Sequence, residues 1–191
     1  AEYVGVKHCV SCSSGTDALL MPLLAWDVGP GDAVFTTPFT FIATAEVIQL
    51  LGATPIFVDI DPKTYNISPE LLDDAITEVI EKGELNPKVI IPVDLFGLPA
   101  DYAAIELISK KYDIKILEDA AQGFGGQIDD RLAGSFGDAA STSFFPAKPL
   151  GCYGDGGAIF TDDDELYEKL LSVRVHGKGG DKYDNIRIGL N

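Results

Sequence analysis

Strand-length apolar runs alternate with helix-length amphipathic stretches along almost the whole of this chain, and few folds accommodate that alternation. AVFTT (33–37), PIFVDI (55–60), VIIPVDL (89–95), IKILED (114–119), STSFF (141–145) and GAIFT (157–161) have the length and the β-branched or aromatic content of strands. Between them, ATAEVIQLL (43–51), PELLDDAITEVIEK (69–82) and ADYAAIELISKKY (100–112) read as helices. Such alternation builds βαβ units, in which a helix carries the chain back to start the next parallel strand. VIIPVDL and IKILED are apolar almost without interruption, the pattern of strands covered on both faces. The expected fold is α/β, a mostly parallel sheet with helices on both faces, in one domain over residues 1–191.

Local signals agree with these boundaries. Ser68 and Pro69 supply a cap and a first-turn proline to the third helix, and Asp162 to Asp164 place negative charge ahead of ELYEKLLSV (165–173). EKGELNPK (81–88) reads as a loop tip and GKGGDKYDN (177–185) as a glycine-rich connection. No internal repeat or low-complexity tract is visible. The first strand begins almost at once, without an initiator Met, and IRIGLN (186–191) stops without a tail, so the sequence is expected to be a fragment of a longer protein.

Composition narrows the function. The chain has 191 residues, is 46% hydrophobic and lacks any apolar run long enough for a membrane span, so a globular protein without a membrane partner is expected. A formal charge of -16 with three arginines argues against a nucleic acid partner, because phosphate backbones are met by clustered Lys and Arg. Small phosphates are not excluded, since a helix start can hold one locally. Three cysteines give no even framework and suit a reducing, cytoplasmic setting. Cys9 and Cys12 form a CxxC, but within a strand and without further ligands nearby, so no metal site is expected. Cys152, His8, His176 and Asp59 are read as structural.

Three segments carry chemistry. Lys148, in SFFPAKPLG, stands between a strand and a glycine-rich turn, where an amine can form an imine. SSGTDALL (13–20) turns from strand to helix through Gly15, which gathers backbone amides and a positive helix end into a phosphate seat. An ordinary N-cap by Ser14 or Thr16 explains the same residues. Its spacing is not that of a Walker loop. Asp119 closes the strand IKILED, and in parallel sheets ligands bind at the strands' carboxyl ends. A carboxylate there can face a protonated pyridine nitrogen, with Gln122 near the ring's phenolic oxygen and Ala121 small enough for a flat ring to approach. Phe41 can stack on the other face of the ring, with Phe39 the competing candidate. Ser143 can add a hydroxyl to the phosphate seat. These are the parts needed to hold pyridoxal 5'-phosphate.

SSGTDAL, PFTFIATAE, EDAAQGFG and SFFPAKPLGCYGDGGAIFT, in that order, resemble the DegT/DnrJ/StrS family of sugar aminotransferases dependent on pyridoxal phosphate, and the likeness covers essentially the whole chain. The resemblance implies the large domain of an aspartate-aminotransferase-like, fold type I enzyme, without the helical residues that precede it in the family and without the smaller C-terminal domain. It implies Lys148 as the imine-forming lysine, Asp119 as partner of the pyridine nitrogen, Gln122 at the phenolic oxygen, and Gly15, Thr16 and Ser143 at the phosphate. Phe41 and Ala121 would flank the ring. Asn191 would reach the phosphate of the partner's cofactor in a homodimer with active sites at its interface. The implied reaction moves an amino group from an amino acid, with glutamate expected, to a nucleotide-linked keto sugar, with UDP expected, for cell-surface polysaccharide or O-antigen synthesis. A regulatory or binding protein on the same fold, and a sugar dehydratase, are the alternatives. The dehydratases carry histidine where Lys148 stands.

Overall fold

The computed structural model describes residues 1–181 and 183–191. In chain order it forms β1 (His8–Cys12), α1 (Gly15–Ala25), β2 (Asp32–Thr36), α2 (Ala43–Leu50), β3 (Thr54–Phe57), α3 (Pro69–Lys82) and β4 (Asn86–Ile91). These are followed by α4 (Tyr102–Tyr112), β5 (Lys115–Asp119), the short pair β6 (Gln127–Ile128) and β7 (Arg131–Leu132), β8 (Ala139–Ser143), β9 (Gly157–Thr161) and α5 (Asp164–Val173). Seven strands join in one sheet, ordered β1-β9-β8-β5-β4-β2-β3. Pairing is parallel from β3 through β8, and β9 alone runs against the others, antiparallel to both β8 and β1. The sheet is therefore mostly parallel, as the alternating pattern requires.

Helices cover both faces, and alternate strand residues sort between them. Val34, Val89 and Leu117 pack with Leu19, Leu23, Val47 and Leu170 from α1, α2 and α5. Ala33, Phe35, Ile90 and Ile116 pack with Leu72, Ile76 and Ile105 from α3 and α4. α3 has the ends its sequence promises: the Ser68 side chain accepts from the Leu71 amide, and Gly83 closes the helix at φ 66°, a left-handed conformation that costs glycine little.

Several boundaries differ from expectation, and β3 ends at Phe57 rather than Ile60. β4 stops at Ile91, because Pro92 has no amide to continue the ladder, and beyond it Val93 makes a single bridge to Asp119. The same strand starts at Asn86, which shortens the loop after α3 to Gly83 through Leu85. β8 is AASTS rather than STSFF, so Phe144 and Phe145 already belong to the loop that bears Lys148. The glycine-rich connection 177–185 includes Lys182, which lies outside the described residues, and an isolated bridge joins Lys178 to Asn185.

Candidate active site

The strands β2, β4, β5 and β8 end around a hollow of about 780 Å³, closed on one side by the start of α1. Gly15, Thr16, Phe41, Asp119, Ala121, Gln122, Ser143 and Lys148 all line it. These side chains come from segments up to 133 positions apart (148 − 15), and the parallel sheet brings them together because its strands all finish at this edge.

The start of α1 and the end of β8 meet by close approach. Ser14 caps α1 from an extended backbone, its hydroxyl accepting from the Asp17 amide at 3.0 Å, so the first-turn amides of Gly15 and Thr16 start without intrahelical acceptors. Gly15 lies against the end of β8: a Cβ there would stand 2.5 Å from Ser143 Cβ and 2.8 Å from its hydroxyl. Only a glycine lets the helix start meet Ser143. The result is a positive helix end with a hydroxyl beside it.

Asp119 forms the floor. It is buried, its Oδ2 accepts from the Thr44 hydroxyl at 2.9 Å, and its Oδ1 accepts from the Ala121 amide at 3.2 Å. Burial pushes its carboxyl above the usual range, opposed by those two hydrogen bonds and by the charge of Lys148. Lys148 itself is half-buried, and among the described residues its ammonium enters no ion pair. Gln122 is held by one end: its Oε1 accepts from the Phe96 amide at 3.2 Å, which leaves the amide nitrogen as its free donor. Phe96 adopts φ 56°, an unusual conformation for an aromatic residue, and also lines the hollow.

The choice between the two phenylalanines is now open to inspection. Phe41 lines the hollow with 64% of its surface exposed, whereas Phe39 turns to Tyr65 and Phe96, with ring centroids 5.9 and 6.2 Å away. Asn191 is not part of this hollow. With Arg174 and Asp17 it lines a separate hollow of about 170 Å³ on the outer side of α1.

His8, read as structural, is engaged away from the hollow. The His8 ring stacks on Tyr167 at 4.0 Å and meets Asp164 at 2.7 Å, tying β1 to α5. Cys9 and Cys12, three apart on one strand, point to opposite faces, and burial pushes the Cys12 thiol up to about 12. Sequence reasoning missed Thr44 and Phe96. Thr44 sits in the quoted PFTFIATAE, but nothing local ties it to an acid 75 positions away.

The sheet thus gathers an amine, a buried acid and a capped helix start at its carboxyl edge. The profile of the DegT/DnrJ/EryC1/StrS aminotransferase family matches residues 1–191, and the chain belongs to that family. It is 51% identical over its full length to 51% of the UDP-2-acetamido-2-deoxy-3-oxo-D-glucuronate aminotransferase of Pseudomonas aeruginosa. It is 48% identical over its full length to 49% of a pleiotropic regulatory protein of Geobacillus stearothermophilus. Among solved structures, a DegT DnrJ EryC1 StrS aminotransferase from Brucella abortus superimposes with a TM-score of 0.98 at 57% identity, over all of this chain and 51% of that one. The chain thus spans about half the length of the curated relatives it matches.

Proposed function

We propose that this chain is the cofactor-binding part of an aminotransferase, dependent on pyridoxal phosphate, that moves an amino group from an amino acid to a nucleotide-linked keto sugar. The observation that carries this reading is the convergence of a free lysine amine, a buried carboxyl and a helix start on one hollow.

The residues fit the group. The first-turn amides of Gly15 and Thr16 with the Ser143 hydroxyl suit its phosphate, and Phe41 and Ala121 suit the faces of a flat ring. Asp119 lacks a full counter-charge of its own, so a protonated ring nitrogen would meet a carboxyl that burial otherwise drives toward its neutral form. When bound, pyridoxal phosphate supplies an aldehyde that condenses with amines and a ring that withdraws electrons from the attached carbon.

Lys148 supplies the amine that holds the group between turnovers, and afterwards moves a proton at the α-carbon of the amino donor. Asp119 keeps positive charge on the ring nitrogen, which the Thr44 hydroxyl and the Ala121 amide support by fixing the carboxylate. Gln122, with its oxygen already taken by Phe96, offers N–H to the ring's oxygen.

The finer reading names glutamate as donor, a UDP-linked keto sugar as acceptor and O-antigen or other cell-surface polysaccharide as destination, in the cytoplasm. It also places a smaller C-terminal domain beyond this segment in the whole protein. The name and identity of the Pseudomonas relative support the UDP sugar. In a homodimer with sites at the interface, Asn191 would serve the partner's phosphate, in keeping with its position outside this chain's own hollow. A regulatory role is the second reading, favoured by the name of the Geobacillus relative.

Incubating the full-length protein with glutamate and a panel of UDP and dTDP keto sugars, then weighing the products, tests the proposal. An aminated sugar and an absorbance band near about 410–430 nm that borohydride abolishes are expected. A protein with neither would be a regulator or binder on this scaffold.

A further inference from the structure

Directly behind Asp119 lies a second acidic site, sealed from the hollow. Neighbouring strand residues point to opposite faces, so Glu118 faces the α4 side of the sheet. It is fully buried, and each of its oxygens accepts a backbone amide, Oε1 from Gly134 at 2.6 Å and Oε2 from Phe136 at 2.8 Å. Asp94, also fully buried, meets it from the loop after β4. Its Oδ1 accepts from the Ala100 amide at 3.1 Å and the Tyr102 hydroxyl at 2.8 Å, while its buried Oδ2 has no donor. The Tyr102 ring lies flat on Phe136 at 4.2 Å and closes the site. Among the described residues no Lys, Arg or His pairs with either acid.

Three of the four carboxyl oxygens therefore have donors, and the fourth, Asp94 Oδ2, is buried without one beside a second carboxyl. Two bare anions in contact in a dry interior repel strongly, and one proton between them removes the conflict. We propose that Asp94 and Glu118 share a single proton held between Asp94 Oδ2 and the Glu118 carboxyl, and that this acid pair is a positioning element clamping the turn that bears Asp119 and Gln122 to the loop after β4. The proposal deepens the function argued above and rests on it only for what the clamp positions.

The surrounding contacts fit a clamp. The same two segments are joined by Asp119 N–H to the Pro92 carbonyl at 2.9 Å, Asp94 N–H to the Asp119 carbonyl at 3.1 Å, and Phe96 N–H to Gln122 Oε1 at 3.2 Å. Gly123 rides on the pair so closely that a Cβ there would stand 2.7 Å from Asp94 Oδ2. The other titratable groups facing the pair are the Tyr102 hydroxyl from α4 and the Asp119 carboxyl from β5. Burial raises both acids, Asp94 to about 6 and Glu118 well above the usual range, and the proton belongs to the pair rather than to one member.

The test uses full-length protein. Infrared spectra of the wild type without cofactor, at about pH 7, should show the carbonyl band of a buried protonated carboxyl, and Asp94→Asn should lack it. Folded-state values above the unfolded ones mean that stability is lost as pH rises, so wild-type melting should fall increasingly below that of Asp94→Asn from about pH 5 to pH 8. Asp94→Ala should hold pyridoxal phosphate about tenfold less tightly, and Asp94→Asn, which puts N–H where the proton sat, should restore most of that affinity. A wild type without the band, or an Asn variant as impaired as the Ala variant, overturns the pair. A protein with the band and the widening gap that takes up no pyridoxal phosphate supports the pair and overturns the proposed function instead.

Discussion

Glu118 and Asp119 are consecutive residues on one strand, both buried and both pushed toward their neutral forms by burial, yet they sit in opposite surroundings. Asp119 opens onto the hollow, where a hydroxyl, an amide and the Lys148 charge all favour its ionised form. Glu118 opens onto another acid, and the charge of Asp94 is what it meets after burial itself. Desolvation alone does not determine what a buried acid does. The pleat of β5 sends one carboxyl to a face where a cation can arrive and the other to a face where only a proton can.

The largest effect should come from removing the amine on the open side. On the proposed function, Lys148→Ala takes away both the covalent anchor and the proton carrier, so turnover should fall by at least about 10³-fold in a steady-state assay. Pyridoxamine phosphate should still bind, because the anion seat and Asp119 are untouched. Unchanged turnover would remove Lys148 from the chemistry.

Asp119→Asn comes next and bears on both halves of the contrast. Without a carboxylate to hold positive charge on the ring, turnover should drop about 10² to 10³-fold. Stability without cofactor should move the other way. The Asp119 carboxyl lies above its ordinary value in the folded state, so it binds its proton more tightly folded than unfolded, and its stabilising contribution, intact at low pH, is lost as pH rises. The Asn variant escapes that loss. It should melt above the wild type at about pH 8, with the gap closing toward about pH 4. A gap of constant size would mean that Asp119 is not the titrating group.

The open side was largely legible in the sequence, and the sealed side was not. Asp119, Lys148 and the Gly15 turn announce themselves by position, each at a strand end or helix start where a parallel sheet gathers its ligands. The sheet followed from the alternation of runs, although β9 runs against its neighbours and Pro92 cuts short a strand that its apolar content extends. Glu118 reads as half of an acidic dipeptide, and only register turns it inward. Asp94 sits in what looks like strand but is the loop after β4, so its pairing with Glu118 depends on a boundary that apolar content misplaces. Phe39 and Phe41 differ by two positions, and it took the loop after β2 to turn one toward the hollow and the other toward Tyr65.

The smallest predicted effect bears on the support beneath Asp119. Thr44→Val exchanges a hydroxyl for a methyl of nearly equal size, so packing in the first turn of α2 should survive while the 2.9 Å hydrogen bond to Asp119 Oδ2 is lost, together with that hydroxyl's contacts to the Phe41 carbonyl at 3.2 Å and the Thr40 hydroxyl at 3.0 Å. One such bond to a charged acceptor is worth about 1.5 kcal/mol, or roughly tenfold in cofactor affinity at most. The direction is the sharper test. Thr44 holds the Asp119 carboxyl down against burial, so its loss should raise that carboxyl further, and the acid limb of cofactor affinity against pH should move to higher pH. The alkaline side should stay in place, because the hydroxyl makes no contact with the sealed pair on the other face. A shift confined to the alkaline side would mean that the two faces of β5 are coupled, and the division of labour between Asp119 and Glu118 would have to be redrawn.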